Sequence, residues 1–134
     1  MPAGRADEDL VRGFLRDVRA GRHLDRAGRY LAPRVTAHQG RPGVVRAVVA
    51  RTPEEYADHV REMLDAVGPW AFAVGTVQRA GEVVEATWEQ TGVRHEDGRP
   101  VVEHGWAAYR IAGGKIVEYW IDPTATGLDD ATAP

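Results

Sequence analysis

The feature that most constrains this chain is a change in the spacing of its apolar residues at Trp70. Before Trp70 the apolar residues recur at helical spacing, whereas beyond it they alternate with polar residues as in β-strands. Four strand-like runs follow, over 70–78, 83–91, 101–111 and 115–122, with turn residues between them at 80–81, 97–98 and 113–114. Helices followed by an antiparallel meander predict an α+β fold, in which the helices cover one face of a strongly curved sheet.

Three helices are predicted before the strands. Asp7 is expected to cap the first, whose apolar stripe ends near Gly21. The second, over 24–31, has to end before Pro33, because the residue preceding a proline is disfavoured in helical conformation. The third begins with the capping-box pattern Thr52-Pro53-Glu54-Glu55 and stops at Gly68-Pro69. Residues 34–38 predict a short strand, whereas 41–51 fit a strand, a helical turn or an apolar loop equally well.

Length and composition predict one domain over residues 1–134, with loose ends at about 1–6 and 124–134. A net charge of -3 argues against nucleic acid as a partner. Because no run approaches the roughly 20 apolar residues that cross a bilayer, and the N-terminus lacks the apolar core of a signal peptide, we expect a cytoplasmic protein without membrane contact. The absence of cysteine excludes disulfides and thiolate chemistry.

No cofactor is expected. The five histidines show no metal-binding spacing, and no glycine-rich phosphate loop follows a strand and opens a helix. Gly113-Gly114 is interpreted as a hairpin turn instead.

Several local strings resemble the SnoaL-like polyketide cyclases of the NTF2-like superfamily, which also includes ketosteroid isomerase and scytalone dehydratase. The strings are Val11-Arg12-Gly13-Phe14 with Ala20-Gly21, Thr36-Ala37-His38-Gln39-Gly40, Thr87-Trp88-Glu89-Gln90-Thr91-Gly92, and the run from Tyr109 to Trp120 that contains Gly-Lys-Ile-Val-Glu-Tyr-Trp. The resemblance covers about residues 8–128 and implies a conical pocket, usually a dimer, and catalysis without metal or cofactor.

The departures from that family concern its catalytic positions. Where the aldol cyclases carry an Asp just after the tryptophan, this chain has Ile121, and where they carry a pocket histidine it has Ala107. The tyrosine with which the isomerase polarises a ketone falls at Phe14. A close functional copy of either enzyme is therefore not expected.

Strand alternation sorts the sheet into two faces, because neighbouring side chains point in opposite directions. The face with small residues at mid-strand is expected to line the pocket: Val84, Ala86, Trp88, Gln90, Glu103, Gly105, Ala107, Tyr109, Tyr119 and Ile121. The outer face collects Glu85, Thr87, Glu89, His104, Trp106, Arg110, Glu118 and Trp120. Trp106 and Trp120 on adjacent outer strands predict a homodimer through the sheet.

His38 is the first catalytic candidate, because it stands at the strand end where the resembling isomerase places its general base and histidine titrates near neutral pH. The alternative is a surface histidine in a loop rich in Gly and Pro. Glu103 is an inward carboxylate or an edge residue reaching solvent. Tyr109 and Tyr119 are candidate donors to an enolate oxygen, or core residues.

Six further residues are candidate substrate contacts: Phe14, Tyr30, Trp88, Gln90, Ala107 and Ile121. Trp88 could stack on a flat polycyclic ligand, and Gln90 offers an amide. Tyr30 is a weaker candidate, and so is His59, which falls at the border of the buried stripe of the third helix.

The function predicted from these residues is a cofactor-independent cyclase, or a related isomerase or lyase, acting by acid–base chemistry on a polyketide-like small molecule in secondary metabolism such as antibiotic biosynthesis. The alternative is a non-catalytic protein that binds a hydrophobic small molecule in the same pocket. A pure interaction module is a third possibility, because one fold hosts many functions.

Overall fold

The computed structural model describes residues 3–40, 43 and 47–127. Within them the helices α1 (Ala3–Phe14), α2 (Ala27–Tyr30) and α3 (Pro53–Val67) pack against one sheet. Its strands are β1 (Leu31–Gln39), β2 (Ala47–Arg51), β3 (Ala71–Ala80), β4 (Val83–Val93), β5 (Pro100–Ala112) and β6 (Lys115–Gly127). They are ordered β2-β1-β6-β5-β4-β3, and the sheet is antiparallel except between β1 and β6. This curved, unclosed α+β architecture confirms the predicted NTF2-like cone.

The start of α1 differs from the prediction. The helix begins at Ala3, so Asp7 lies inside it and does not cap it. Asp7 instead accepts a hydrogen bond of 2.6 Å from Arg79 on β3, which ties the helix to the sheet. Beyond Phe14 the helix continues as a π-helical turn, Leu15–Arg19, and the chain leaves it at Gly21 with a positive φ of 80°. The predicted exit at Gly21 is thus correct.

The second helix is shorter than predicted. A 3₁₀ turn, Leu24–Arg26, leads into α2, and Leu31 already has extended backbone as the first residue of β1. Pro33 lies within β1, so the helix does end before it. Of the segment whose conformation was left open, residues 47–51 form β2 against β1, while 41, 42 and 44–46 lie outside the described residues.

The third helix begins as predicted. The Thr52 hydroxyl accepts a hydrogen bond of 3.1 Å from the backbone N–H of Glu55, and the Glu55 carboxylate accepts one of 2.9 Å from the backbone N–H of Thr52. Pro53 occupies the first turn, where its missing N–H costs no helical hydrogen bond. Tyr56, Ala57 and Val60 are the buried residues that attach α3 to the sheet.

The end of the sheet corrects the predicted loose tail. β6 runs on to Gly127, and residues 124–127 pair with the first half of β5, Val101 opposite Gly127 and Val102 opposite Thr126. β5 is long enough to form backbone hydrogen bonds with these residues. The alternation of apolar and polar residues alone does not predict this pairing. At the other end, residues 3–6 are helical. Residues 128–134 lie outside the described residues.

Burial confirms the predicted sorting of the sheet. Val84, Ala86, Trp88, Ala107 and Tyr109 of the inward face are each 3% exposed or less, whereas Glu89, His104 and Arg110 of the outer face are exposed. No helix in the described part of the chain is long and apolar enough to cross a membrane.

Candidate active site

The open end of the cone holds two adjoining hollows. One, of about 70 Å³, lies between the middle of α3 and the inward ends of β1 and β6. The second, of about 190 Å³, lies between the end of α3 and the inward ends of β4 and β5. Met63 and Glu103 line both hollows and form the wall between them.

Arg19 forms the polar floor of the site. Its side chain is only 4% exposed, and its guanidinium donates to Gln90 Oε1 at 3.3 Å and to Glu103 Oε2 at 3.4 Å. The same guanidinium lies 5.3 Å from the ring centroid of Trp88 and 6.0 Å from that of Trp70. Burial of a cation requires such partners, because an unpaired charge in the interior is costly. Gln90 and Glu103, both predicted site residues, are therefore held together by Arg19.

Sequence reasoning missed Arg19, although a signal for it exists. Leu15, Val18 and Arg19 stand at helical spacing on one buried face. A charged residue in an apolar stripe is seldom buried without a specific partner. That position could have marked Arg19 as a polar residue of the site.

His59 stands at the mouth of the smaller hollow, on α3. The ring is open to solvent on one side, but its partial burial lowers the pKa of His59 below the ordinary value of 6.5, and the positive charges of Arg51 and Arg19 lower that pKa further. The imidazole is consequently neutral at pH 7 and able to accept a proton. A residue that the sequence placed only at the border of a buried stripe is thus a titratable side chain in the lining of the smaller hollow.

Two phenols complete the smaller hollow. Tyr56 is 4% exposed and Tyr119 is 3% exposed, and their rings pack edge to face at 5.9 Å. Burial raises the pKa of both above the ordinary value of 10. Both phenols therefore keep their protons at neutral pH and have an O–H to donate.

Tyr109 and Trp88 occupy the core beneath the hollows. Tyr109 is 1% exposed, lies against Phe14 and Tyr119, and lines neither hollow. Burial raises the pKa of Tyr109 well above 10, and among the described residues its hydroxyl has no hydrogen-bond partner. The Trp88 ring lies directly over Gly105. Neither side chain is placed where a ligand in these hollows would touch it.

His38 does not face the cavity. Neighbouring Ala37 is fully buried and points inward, so His38 points to the outer face. There its Nε2 lies 2.6 Å from Glu118 Oε2, and its ring stacks on Trp120 at a centroid distance of 4.7 Å. The general base predicted at this position has no geometric support, because β1 turns alternate side chains to opposite sides of the sheet.

Of the remaining predicted contacts, some line the hollows and others do not. Ile121 lines the smaller hollow and Gln90 the larger one. Phe14 and Ala107 are fully buried in the core, and the Tyr30 hydroxyl donates to Asp17 on the helical layer. The structure therefore brings Glu103, Tyr119, Gln90 and Ile121 together and leaves Phe14, Tyr30, Trp88, Ala107, Tyr109 and His38 elsewhere.

Larger depressions occur on the surface. A groove of about 790 Å³ runs between α2 and α3, and another of about 610 Å³ crosses the outer face of the sheet beside Trp106. Both are open to solvent and lack the buried convergent polar groups of the cone. No group of three or more His, Asp or Glu side chains in residues 3–40, 43 and 47–127 is arranged to hold a metal ion.

The chain is similar in sequence to one family of domains. A sequence model of the SnoaL-like domain matches residues 11–119. No curated protein matches the chain by sequence.

Three solved structures illustrate the similarity of fold. A protein from Acidithiobacillus ferrooxidans assigned as a polyketide cyclase has 19% identity and a TM-score of 0.73, over 92% of this chain and 91% of its own. IdmH from Streptomyces antibioticus, also assigned as a polyketide cyclase, has 18% identity and a TM-score of 0.69, over 86% and 89%. An LEH-like epoxide hydrolase of M. tuberculosis has 15% identity and a TM-score of 0.69, over 92% and 86%.

Proposed function

Because the chain belongs to the SnoaL-like domain family, we propose that it is a cofactor-independent enzyme, a cyclase or a related isomerase or lyase, acting on a polyketide-like small molecule in secondary metabolism. The observation that carries the proposal is the neutral imidazole of His59 at the mouth of a hollow that also holds the Arg19–Glu103 pair and the Tyr119 phenol. A base, an acid and a buried cation around one small space are the components of enolate chemistry.

The proposed reaction begins at a carbon next to a carbonyl group. His59 removes a proton from that carbon, and the electrons of the C–H bond move to the carbonyl oxygen, giving an enolate. The Tyr119 phenol donates a hydrogen bond to this oxygen, and the Arg19 charge stabilises it through space. Glu103 keeps Arg19 in place. In an isomerisation the proton returns from His59 to another carbon. In a cyclisation the enolate carbon attacks a second carbonyl, whose oxygen takes the proton.

The size of the site bears on the substrate. Each hollow is smaller than the roughly 300–1,000 Å³ of sites for drug-sized ligands. A polyketide-like substrate therefore occupies both, and the Met63 side chain moves aside, which its flexible thioether allows at low cost.

The experiment measures exchange of α-protons for deuterium in D₂O by NMR, because enolisation is detected whatever the net reaction. The probes are cyclohexanone, 2-tetralone, levulinate and methyl levulinate. We expect exchange above the buffer rate with at least one probe, and its loss in His59→Gln. His104→Gln is the matched control, because His104 is exposed on the opposite face of the sheet.

Two further variants locate the base. His38→Gln is expected to retain exchange. If His38→Gln is inactive while His59→Gln is active, the base is His38 on β1. Glu103→Gln tests whether Glu103 is itself the base or only orients Arg19. If Glu103 only orients Arg19, the variant is expected to lose part of the exchange rate, whereas a base would lose all of it. Exchange at the buffer rate with every probe contradicts the enzymatic proposal.

A non-catalytic binding protein is the second candidate. Ile121 and Ala107 occupy the positions at which the resembling aldol cyclases have Asp and His, which favours an apolar binding cavity over their reaction. A ligand that shifts the NMR signals of Tyr119 and Ile121 but is recovered unchanged after long incubation would support this candidate.

We further propose that two copies associate through the outer face of the sheet. Trp106 and Trp120 are only partly buried there, and His38 extends the aromatic surface by stacking on Trp120. Large aromatic surface of this kind is typical of interfaces. A cytoplasmic location is part of the proposal, since a chain without cysteine needs no oxidising compartment to fold.

A further inference from the structure

We infer that the small molecule bound in this cavity carries a carboxylate group, and that Arg51 at the end of β2 is the residue that holds it. The inference rests on the proposed function only in taking the cone as the reaction site. It concerns the chemical class of the substrate, which neither the family nor the fold specifies.

The balance of charge around the smaller hollow favours an anionic ligand. The smaller hollow is lined by two guanidinium groups, Arg19 and Arg51, and by one carboxylate, Glu103. Arg19 is already engaged with Glu103 and Gln90. With His59 neutral, one positive charge is left over within the lining, so an anion is favoured over a neutral or cationic ligand.

Arg51 also has an unused hydrogen-bond donor. The Nε of Arg51 is buried, and among the described residues it has no hydrogen-bond partner. Buried donors without partners are rare, because each forfeits its hydrogen bond to water. Glu55, a carboxylate four residues further along the chain, accepts instead from the backbone N–H of Thr52 at the exposed start of α3. The donor is therefore available to a ligand.

The positive charge of Arg51 also acts on the other titratable groups of the cavity. The positive charges of Arg51 and Arg19 both act on the pKa of His59, Tyr56 and Tyr119, in each case toward the deprotonated form. The two cations thus converge on the same small volume. An anion placed there is attracted by both positive charges. The attraction is stronger than in water because the effective dielectric constant is lower.

The surroundings also match a carboxylate in hydrogen-bonding capacity. A carboxylate has two oxygens that accept several hydrogen bonds, and a guanidinium binds it in fixed geometry. The phenols of Tyr56 and Tyr119 and the amide of Gln39 line the same hollow and add donors. Anchoring at Arg51 would leave the rest of the substrate to extend past His59 toward Met63, where the proposed proton transfer takes place.

The test compares acids with amides of the same shape. We would titrate ¹⁵N-labelled protein with acetate and acetamide, and with benzoate and benzamide, and follow backbone and side-chain shifts by NMR. We expect at least one acid to bind about tenfold or more tightly than its amide, with shifts at Arg51, His59 and Tyr119. Arg51→Gln is expected to remove this preference, and Arg51→Lys, which keeps the charge, to retain part of it.

Arg61→Gln is the matched control, because Arg61 is an exposed arginine of α3 that pairs with Asp58 outside the hollow. A readout independent of ligand is the NMR titration of His59, whose pKa is expected to rise in Arg51→Gln. Equal binding of acid and amide, an acid preference that survives in Arg51→Gln, or no shift in the cavity with either acid would overturn the inference.

The outcome is separable from that of the proposed function. Deuterium exchange in neutral ketones without acid preference would reject the carboxylate inference alone. Acid binding through Arg51, with exchange at the buffer rate in all four carbonyl probes, would reject the enzymatic proposal alone.

Discussion

Arg19 shows how one side chain connects the helical layer to the sheet. It stands at the end of the π-helical turn and reaches Gln90 on β4 and Glu103 on β5. Replacing a buried ion pair with apolar residues can be tolerated, but removing one partner leaves the other charge unpaired in the interior. Arg19 can reach both partners because Gln90 lies opposite Glu103 in the register of β4 and β5.

Gly105 allows Trp88 to lie flat on β5. A Cβ added at Gly105 would stand 2.0 Å from Cε2 and 2.1 Å from Cζ2 of the Trp88 ring, so the ring would have to move. We expect Gly105→Ala to lower the free energy of unfolding by about 2 kcal/mol, measured by urea denaturation, because overpacking a filled core is costly. Gly28→Ala is the control, since a Cβ there meets nothing within 4 Å. Equal stability of the two variants would contradict this packing.

The lowered pKa of His59 predicts the pH dependence of activity. A base works only when unprotonated, so the exchange rate should rise with pH through a midpoint below 6.5, the ordinary histidine value. Because the folded pKa is depressed, protonation favours the unfolded state, and stability is lost as pH falls from 6.5 through the folded pKa. The pH–rate profile and the His59 NMR titration should agree. A midpoint at or above 6.5 would contradict the assignment.

At the scale of elements, the local signals of α3 were sufficient to place it. Capping box, proline and stop signal all act within a few residues, and the helix has the predicted limits. α1 differs, because it begins at Ala3 and its Asp7, which has the residue type of a cap, pairs with Arg79 of the sheet instead. β2 lies in a segment of ambiguous periodicity, and only pairing with β1 defines it as a strand.

The capping box of α3 gives a prediction for this element. Thr52→Ala removes the hydroxyl that accepts from the Glu55 N–H, and we expect a loss of about 1 kcal/mol in the free energy of unfolding. Glu55→Gln keeps a side-chain acceptor for the Thr52 N–H and should cost less. Urea denaturation measures both. A Thr52→Ala variant as stable as the parent would mean that the box does not limit the stability of this helix.

At the scale of the whole molecule, the curvature of the sheet separates two chemical environments. The inward face holds the polar site within an apolar core, while the outer face carries Trp106, Trp120 and the His38–Glu118–Arg110 group. The two faces are formed by alternate residues of the same strands.

The proposed dimer is tested at this scale. Multi-angle light scattering should give about twice the 14.7 kDa mass of the chain. Trp120→Arg and Trp106→Arg should each shift the species toward the monomer, because an interface excludes unpaired charge. Val93→Arg is the control, an exposed apolar residue at the end of β4. A parent protein that is monomeric at all concentrations would reject this use of the face.

Local signals in the sequence predicted the α+β class, the limits of α3 and the face of the residues singled out on β4, β5 and β6, because periodicity and turn signals act over a few residues. Glu103, Tyr119, Gln90 and Ile121, which the sequence offered as site residues, line the two hollows. Tertiary structure alone decided that Arg19, Arg51 and His59 join them, since these three come from separate elements and meet only when the helices close over the sheet. It also turned His38 outward, because the direction of a strand-end side chain depends on how that strand pairs with β6.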